Sequence, residues 1–309
     1  MEKIIGLSFG RKNGNCEAFL KAALMAAEED GIESDIIRAI ELKIVPCKSC
    51  GACFKNAKCP HDDTDWILEN TMLGDAALIV AAPVYHIRTS AALICVSDKL
   101  NHVFMKNPYV HDRKKLSAAI SVGGSGYDGW TSLGLPTVHL FLQHFSTIVD
   151  QVQINHCADL GAALTPDNQW AIDRSRRLGH NLAMSMKLPF EKVRYLGEES
   201  PISCPVCHCD IFYLEKGLPD IACPTCQIHG QVSCDGNTYQ VAWNADDIQN
   251  PRFSASKQHH HLEWIMRHRT EEEPQIAMPE TQQKIRQYNA YGKYLKPQKK
   301  VPTHRVHTD

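Results

Sequence analysis

Four cysteines lie close together near residue 50 of this sequence: Cys47, Cys50, Cys53 and Cys59. They are separated by two, two and five residues, and Pro60 follows the last of them. Three thiolates at three-residue intervals can surround one face of an inorganic cluster, while a fourth closes its far side. Iron–sulfur clusters are held by runs of this kind, such as C-x2-C-x2-C-x3-C-P. The spacing therefore predicts a [4Fe–4S] cluster, with a zinc site or metal-free thiols as the alternatives.

A second set of cysteines forms two Cys-Pro-x-Cys knuckles: Cys204 with Cys207, and Cys223 with Cys226. Fifteen residues separate the knuckles, and two knuckles at this distance present four thiolates to one tetrahedral ion. The pattern predicts zinc, with rubredoxin-type iron as the alternative. Cys209 and Cys234 are surplus and could replace one of the four ligands. A module this small needs its metal to be stable.

The composition is that of a globular protein with a packed core. The chain has 309 residues, is 43% hydrophobic and carries a formal net charge of −2, so nothing favours bulk nucleic-acid or membrane binding. The amino terminus lacks the apolar segment and cleavage site of a signal peptide, and no stretch approaches the roughly 18 apolar residues of a membrane span. We therefore expect a cytoplasmic protein, in which clustered cysteines bind metal or carry out redox chemistry.

Strands and helices alternate in the first 187 residues. Apolar runs predict strands at residues 4–8, 34–40, 77–82, 115–122 and 148–154. Amphipathic patterns predict helices at residues 15–29, 62–73, 90–105, 133–145 and 167–187. This order is typical of an α/β fold with a five-stranded, parallel, doubly wound sheet. We expect a first domain at 1–188 with the cysteine loop 47–59, a metal ribbon at 189–245, and a polar helical extension at 246–309.

The loop after the first strand has the features of a phosphate site. It contains Ser8, Arg11, Lys12, Asn13, Gly14, Asn15 and Cys16. Backbone N–H groups of such a turn face an anion, together with the N-terminus of the following helix. Arg11 and Lys12 would add positive charge, while Ser8, Asn13 and Asn15 would add hydrogen bonds. The loop matches neither the dinucleotide nor the triphosphate motif.

Two further loops follow predicted strands at the same edge of the sheet, where ligands of such folds bind. One contains Pro83, Val84, Tyr85 and His86, and the other contains Gly123, Gly124, Ser125, Gly126, Tyr127 and Gly129. The three loops suit a mononucleotide, with its phosphate in the first loop and its flat ring beside the other two. Tyr85, His86 or Tyr127 could donate a proton near the ring, although packing against the ring explains them at least as well.

These motifs together resemble the iron–sulfur flavoprotein branch of the flavodoxin-like, NADPH-dependent FMN reductase superfamily. The resemblance covers residues 1–188 and rests on the loop Ser8–x–x–Arg11–Lys12–Asn13–Gly14–Asn15, the cysteine run and Pro83-Val84-Tyr85. It implies FMN at the strand ends, a cluster beside it, and a homo-oligomer, dimer or tetramer, that shares flavin sites between subunits. The sequence departs from the family at Cys16, where Ser or Thr is commoner, and at Asp98-Lys99, where the family has an Asp-Arg pair.

Three functions are compatible with these motifs. The first is an FMN- and [4Fe–4S]-dependent oxidoreductase that moves electrons between a donor, ferredoxin or NAD(P)H, and an acceptor, because flavin and cluster together convert two-electron into one-electron chemistry. The second is an NAD(P)H-dependent flavin or quinone reductase with a structural cysteine loop. The third is a non-catalytic electron carrier. The three histidines after Gln258 point in different directions on a helix, which favours exposure over a metal site.

Overall fold

A parallel sheet forms the centre of the first domain in the computed structural model, which describes residues 3–107, 109–110, 114–126, 128–214, 216–217 and 220–292. Its strands are β1 (Lys3–Ser8), β2 (Glu33–Arg38), β3 (Ala77–Tyr85), the two-residue β4 (Arg88–Thr89), β5 (Leu116–Val122) and β6 (Thr147–Ile154). The order is β2-β1-β3-β5-β6, all parallel, while β4 pairs antiparallel with β3. The predicted flavodoxin-like sheet is confirmed.

Helices cover both faces of this sheet. They are α1 (Asn15–Glu29), α2 (Ala52–Asn56), α3 (Thr64–Asn70), α4 (Ala91–Ser97), α5 (Asn101–Lys106), α6 (Gly134–Leu142) and α7 (Gln169–Met186). One core packs α1 and α7 against the sheet through residues such as Phe19 and Leu178. The other packs α3, α4 and α6 against the opposite face through Leu68, Leu93 and Phe141. Because the side chains of β3 alternate between the two cores, the whole strand is apolar.

The helix predicted at 90–105 is two helices, because the chain turns between α4 and α5 at residues 98–100. Lys99 is only 5% exposed and points inward at this turn. Its ammonium donates to Val45 O, to Asp62 and to Thr64 Oγ1. The turn thus coincides with a lysine that bonds to another segment of the chain, which a periodicity pattern does not reveal.

A small antiparallel sheet follows the first domain. It consists of β7 (Tyr213–Leu214), β8 (Ile221–Ala222), β9 (His229–Asp235) and β10 (Thr238–Trp243), in the order β10-β9-β8-β7, and α8 (Ala245–Gln249) comes next. The interior of this ribbon is formed by five buried cysteines and Ile228. Residues up to 260 form one compact unit.

Two helices complete the described chain: α9 (Ala255–Ala277) and α10 (Pro279–Ala290). Residues from His261 onward form a second compact unit. Within the first unit, Gln258 is buried and its Oε1 lies 2.7 Å from His144 Nδ1. His259 is partly buried, whereas His260 and His261 are exposed as expected. None of the helices in the described residues combines the length and apolar character needed to cross a bilayer.

Candidate flavin and metal sites

The three predicted loops meet at the carboxyl edge of the sheet around a cavity of about 440 Å³. That volume lies in the range of small-molecule and cofactor pockets. The walls are formed by Gly10, Arg11, Gly14, Asn15, Cys16, Pro83, Val84, Tyr85, Val122, Gly124, Cys157 and Ala158. Contributions from all three loops are therefore brought together as the sequence predicted.

The first loop is built to hold an anion closely. The hydroxyl of Ser8 is fully buried beneath the loop and does not line the cavity, and it has no hydrogen-bond partner within the described part of the chain. A Cβ on Gly10 would lie 2.8 Å from Cys16 Cβ, and a Cβ on Gly14 would lie 2.7 Å from Arg11 Cγ. Because a Cβ would clash at both positions, both residues are glycine, and no side chain covers the backbone there, where the chain turns into α1. An unpaired hydroxyl, a bare backbone and a helix N-terminus together fit the phosphate of FMN.

Three predicted phosphate ligands are placed differently. The Asn15 amide donates to Cys157 O and Asp159 O, both at 2.8 Å, and its Oδ1 accepts from Ala163 N. Its side chain therefore holds the loop after β6 and is not available to an anion. Lys12 pairs with Glu41 at 3.2 Å, and the Asn13 N–H donates to Glu17. Neither Lys12 nor Asn13 lines the cavity.

Glu17, in the first turn of α1, is a buried acid that the sequence analysis did not single out. Arg38 donates to both of its oxygens, at 2.8 and 2.9 Å, and Lys21 pairs with it at 2.6 Å. The Arg38 guanidinium, with help from Lys21 and Asn13 N–H, lowers the pKa of Glu17 to about 2. Glu17 thus fixes Asn13 and the loop geometry. Burial raises the pKa of Cys16 to about 12, so this thiol is neutral beside the cavity.

The second loop is a tight hairpin between β3 and β4. His86 and Ile87 both have positive φ, at 50° and 75°, as the two central residues of a type I′ turn require. A β-branched residue at positive φ is strained, and such strain concentrates at functional sites. Tyr85 is 62% exposed beside the cavity, whereas His86 is exposed and does not line it.

The third loop contributes Gly124 to the cavity, and it packs on a loop that the sequence analysis missed. A Cβ on Gly124 would lie 3.0 Å from Ala158 Cα, and one on Gly126 would lie 2.4 Å from His156 Cε1. Ser125 and Gly129 do not line the cavity, and Tyr127 lies outside the described residues. Cys157 and Ala158 follow β6, so their position was inferable from the rule that all parallel strands end at one edge.

The cysteine loop lies between β2 and α3, and its short helix α2 contains Cys53. Cys47 and Cys50 are exposed, while Cys53 and Cys59 are partly buried. Burial raises the pKa of Cys53, and the nearby thiols of Cys47 and Cys50 add to this effect. Cys50 Sγ is 3.4 Å from His61 Nε2. The cysteine loop is therefore accessible to solvent at Cys47 and Cys50.

The cysteine loop winds tightly, with positive φ at Ser49, Gly51 and Ala57. Among the described residues, ligand sets within 4.8 Å of one another occur in the ribbon but not at residues 47–59.

Asp62 anchors the cysteine loop to the first domain. It accepts from Val45 N–H at 2.9 Å on one side of the loop and from Thr64 N–H at 3.2 Å on the other. Lys99 forms a buried ion pair with it. Burial alone would raise the pKa of Asp62, but the hydrogen bonds from Lys99, Val45 and Thr64 outweigh burial and lower it.

The ribbon cysteines form a closed tetrathiolate set. Ligand atoms of Cys204, Cys207, Cys223 and Cys226 all lie within 4.8 Å of one another, and all four residues are fully buried. Hydrogen bonds among these thiols lower the pKa of Cys223, that from Cys204 first, and raise the pKa values of Cys204 and Cys226, those from Cys207 and from Cys204 first. Buried thiolates need a cation, so these residues fit one tetrahedral metal ion. Gln143, the residue that follows α6, donates to Cys226 Sγ at 3.3 Å.

A second cavity, of about 910 Å³, lies between the edge strand β6, α7 and the ribbon. It is lined in part by Leu135, Gln151, Trp170, Arg174 and Cys209. Thr131 and Asn155 line it too, and both approach the Cβ position of Gly123 in the third loop. Gly123 therefore contacts residues that line this cavity, while its neighbour Gly124 lines the flavin cavity.

The profile of the family described as NADPH-dependent FMN reductase matches residues 3–175, more than half of the chain. The chain belongs to this family and is a flavin-dependent oxidoreductase. It is 40% identical over 129 residues to an iron–sulfur flavoprotein of Methanosarcina thermophila, an alignment that covers 41% of this chain. The chain spans 66% of that relative, just under two thirds of its length.

Two further similarities extend beyond the first domain. The chain is 28% identical over 286 residues to a flavone synthase of Aspergillus candidus, covering 82% of this chain and 84% of that one. The solved structure of a flavone reductase matches with a TM-score of 0.75 and 20% identity, over 96% of this chain and 100% of that chain. At this identity the structural likeness shows the fold alone, and it includes the ribbon and helical regions.

Proposed function

We propose that this protein is an FMN- and [4Fe–4S]-dependent oxidoreductase. In this proposal it passes electrons between a donor, NAD(P)H or ferredoxin, and a small-molecule or protein acceptor. The observation that carries the proposal is the convergence of the Ser8–Cys16 loop, Tyr85 and Gly124 on one cavity of about 440 Å³, in a member of an FMN reductase family. Bound FMN would supply hydride and single-electron chemistry.

The chain's own residues bind and orient the flavin in this proposal. The turn at Gly10 and Gly14 and the unpaired Ser8 hydroxyl hold the phosphate. The exposed Tyr85 covers one side of the ring, and the neutral Cys16 adds no charge that would repel a reduced flavin. Tyr85 is the described candidate for proton donation, although packing against the ring would need the same position.

The cysteine loop supplies the second redox centre. Cys47, Cys50, Cys53 and Cys59 would hold a [4Fe–4S] cluster, and Asp62 ties their loop to the domain that holds the flavin. The ribbon metal is zinc in this proposal, with rubredoxin-type iron as the alternative. A homo-oligomer that shares flavin sites between subunits is part of the same proposal.

Oxidation or reduction of a flat phenolic compound of the flavone type is the more specific candidate reaction. The relative that matches 82% of the chain is named a flavone synthase. The cavity of about 910 Å³ combines apolar walls, such as Leu135 and Trp170, with polar side chains such as Ser132 and Gln153. Such a lining suits an aromatic ring system that carries hydroxyl groups.

Anaerobic purification tests the cofactors. We expect about one FMN and four irons with four acid-labile sulfides per chain, together with non-sulfide metal in the ribbon. A yellow protein without sulfide would exclude the cluster. The remaining hypothesis would be an FMN reductase with a structural cysteine loop. NAD(P)H oxidation with and without a flavanone or flavone then tests turnover: oxidation that no acceptor accelerates would indicate an electron carrier.

A further inference from the structure

His139 and Cys209 lie together beside the tetrathiolate set but are not part of it. Cys209 Sγ is 3.5 Å from His139 Nδ1. Cys209 is 6% exposed and His139 is completely buried. His139 belongs to α6 of the first domain, whereas Cys209 follows the first knuckle of the ribbon. Two metal-ligating side chains thus meet across the contact between these two parts of the compact unit.

We propose that His139, Cys207 and Cys209 bind a second divalent zinc ion, and that the Cys207 thiolate bridges it to the tetrathiolate ion. The ligand atoms of these three residues all lie within 4.8 Å of one another. Cys207 belongs to this set and to the tetrathiolate set. A thiolate has lone pairs for two metal ions, so the two sets can be filled together.

The distances agree with tetrahedral coordination. Zn–S bonds of about 2.3 Å and Zn–N bonds of about 2.0–2.1 Å give tetrahedral edges of about 3.8 Å between two sulfurs and about 3.5 Å between sulfur and nitrogen. The Cys209–His139 distance is 3.5 Å, and the Cys207–Cys223 distance in the tetrathiolate set is 3.6 Å. The Cys209–His139 pair therefore already has the separation of two ligands on one ion.

Gln151 prepares the imidazole for this role. Its Nε2 donates to His208 O at 2.6 Å, which identifies the other end of the amide as the oxygen. Gln151 Oε1 and His139 Nε2 are both buried, and neither has a hydrogen-bond partner in the described residues. Burial lowers the pKa of His139, and the nearby Gln151 side chain opposes that shift. A proton on Nε2 directed at this amide leaves the lone pair on Nδ1, towards Cys209. Metal-binding histidines are commonly held by a carbonyl in this way.

The second ion would have an open position. Three protein ligands are one fewer than a closed structural zinc site has, and catalytic zinc sites hold water or substrate at the fourth position. Cys209 and Gln151 line the cavity of about 910 Å³. We therefore assign the fourth position to water or another oxygen donor that enters from this cavity. The ion would act there as a Lewis acid for an oxygen-bearing ligand.

Metal counts on the full-length chain test this assignment. The quantity to measure is the number of metal ions per chain outside the cluster, in protein from zinc-supplemented cells. It is the zinc content plus any iron in excess of acid-labile sulfide. We expect two such ions per chain in the wild type and one in Cys209→Ser and His139→Gln. The matched control is Cys234→Ser, because Cys234 is an exposed surplus cysteine of the same ribbon; it should keep both ions.

One ion per chain in the wild type, unchanged in Cys209→Ser, would overturn the second site and would mean that the 3.5 Å contact is only a thiol–imidazole hydrogen bond. X-ray absorption at the zinc edge of the wild type tests the second site without a variant. A spectrum that shows only sulfur ligands, and no imidazole, would also overturn the second site. The inference rests on the proposed tetrathiolate ion. If Cys204→Ser loses an ion but Cys209→Ser does not, only the second site fails; if the wild type holds neither, both fail.

Discussion

Lys99 and Asp62 form a buried ion pair that joins the turn between α4 and α5 to the end of the cysteine loop. The side chain of Lys99 is 4% exposed and that of Asp62 is completely buried. Asp62 also accepts from backbone N–H groups on both sides of the loop. Lys99 is therefore one of the groups that hold the cysteine loop on the first domain, together with Asp65, which accepts from Cys59 N–H.

Replacing Lys99 by methionine should destabilise the protein by about 3 kcal/mol, because the buried carboxylate of Asp62 loses its partner. Urea unfolding measures the change, and iron content should fall with it. The control is Lys106→Met, which breaks an exposed pair with Glu69 and should cost well under 1 kcal/mol. The double variant Lys99→Met/Asp62→Leu should recover part of the loss; equal effects of the two lysines would contradict the anchoring role.

Ser8→Ala should weaken FMN binding by about tenfold or more, since a hydrogen bond to a charged phosphate contributes about 1.5–3 kcal/mol. The same change should leave the apo protein as stable as the wild type or more stable, because it removes a buried hydroxyl without a partner. Fluorescence titration of FMN and thermal unfolding of the apo protein give the two readings. The control is Ser175→Ala, which removes a buried hydroxyl that donates to Ala171 O at 2.7 Å. It should destabilise the apo protein and leave FMN affinity unchanged.

The sheet and the edge that carries the flavin cavity were predictable, because alternating elements dictate a parallel sheet and all of its strands end at one edge. The ribbon was predictable from its knuckles. The roles of individual side chains were less predictable. Asn15 has the right type and position for a phosphate ligand, yet it bonds to the loop after β6. That competition depends on an acceptor some 140 residues away in sequence, which no local pattern reveals.

The partners of the ribbon site illustrate the same limit. The spacing identified Cys209 as surplus, but His139 and Gln143 looked like ordinary residues of an apolar helix. Only packing of α6 on the ribbon brings His139 to Cys209 and Gln143 to Cys226. The break between α4 and α5 was missed for a related reason. The acceptors of Lys99, which lies at this break, belong to a distant segment of the chain.

Cys53→Ser should remove most of the sulfide-matched iron and leave FMN bound, because the cysteine loop does not line the flavin cavity. The absorption of the cluster should disappear and that of the flavin should remain. Cys234→Ser serves as the control for loss of a thiol outside both metal sets. Release of zinc rather than iron by Cys53→Ser would show that the loop holds a zinc ion. Unchanged metal content would show that it holds none.

Glu17 makes the stability of the phosphate loop sensitive to acid. Its pKa is lowered to about 2 chiefly by Arg38, compared with about 4.3 in an unfolded chain. A lowered pKa contributes stability that is complete above about pH 5 and is lost as the pH falls towards 2. The difference in unfolding free energy between the wild type and Glu17→Gln should therefore be largest and constant above pH 5, and should shrink below it. Glu41→Gln, which breaks an exposed pair with Lys12 and a longer one with Arg38 at 3.7 Å, should give a smaller difference. Urea unfolding from pH 3 to 7 measures both, and a Glu17 difference that grows on acidification would contradict the assignment.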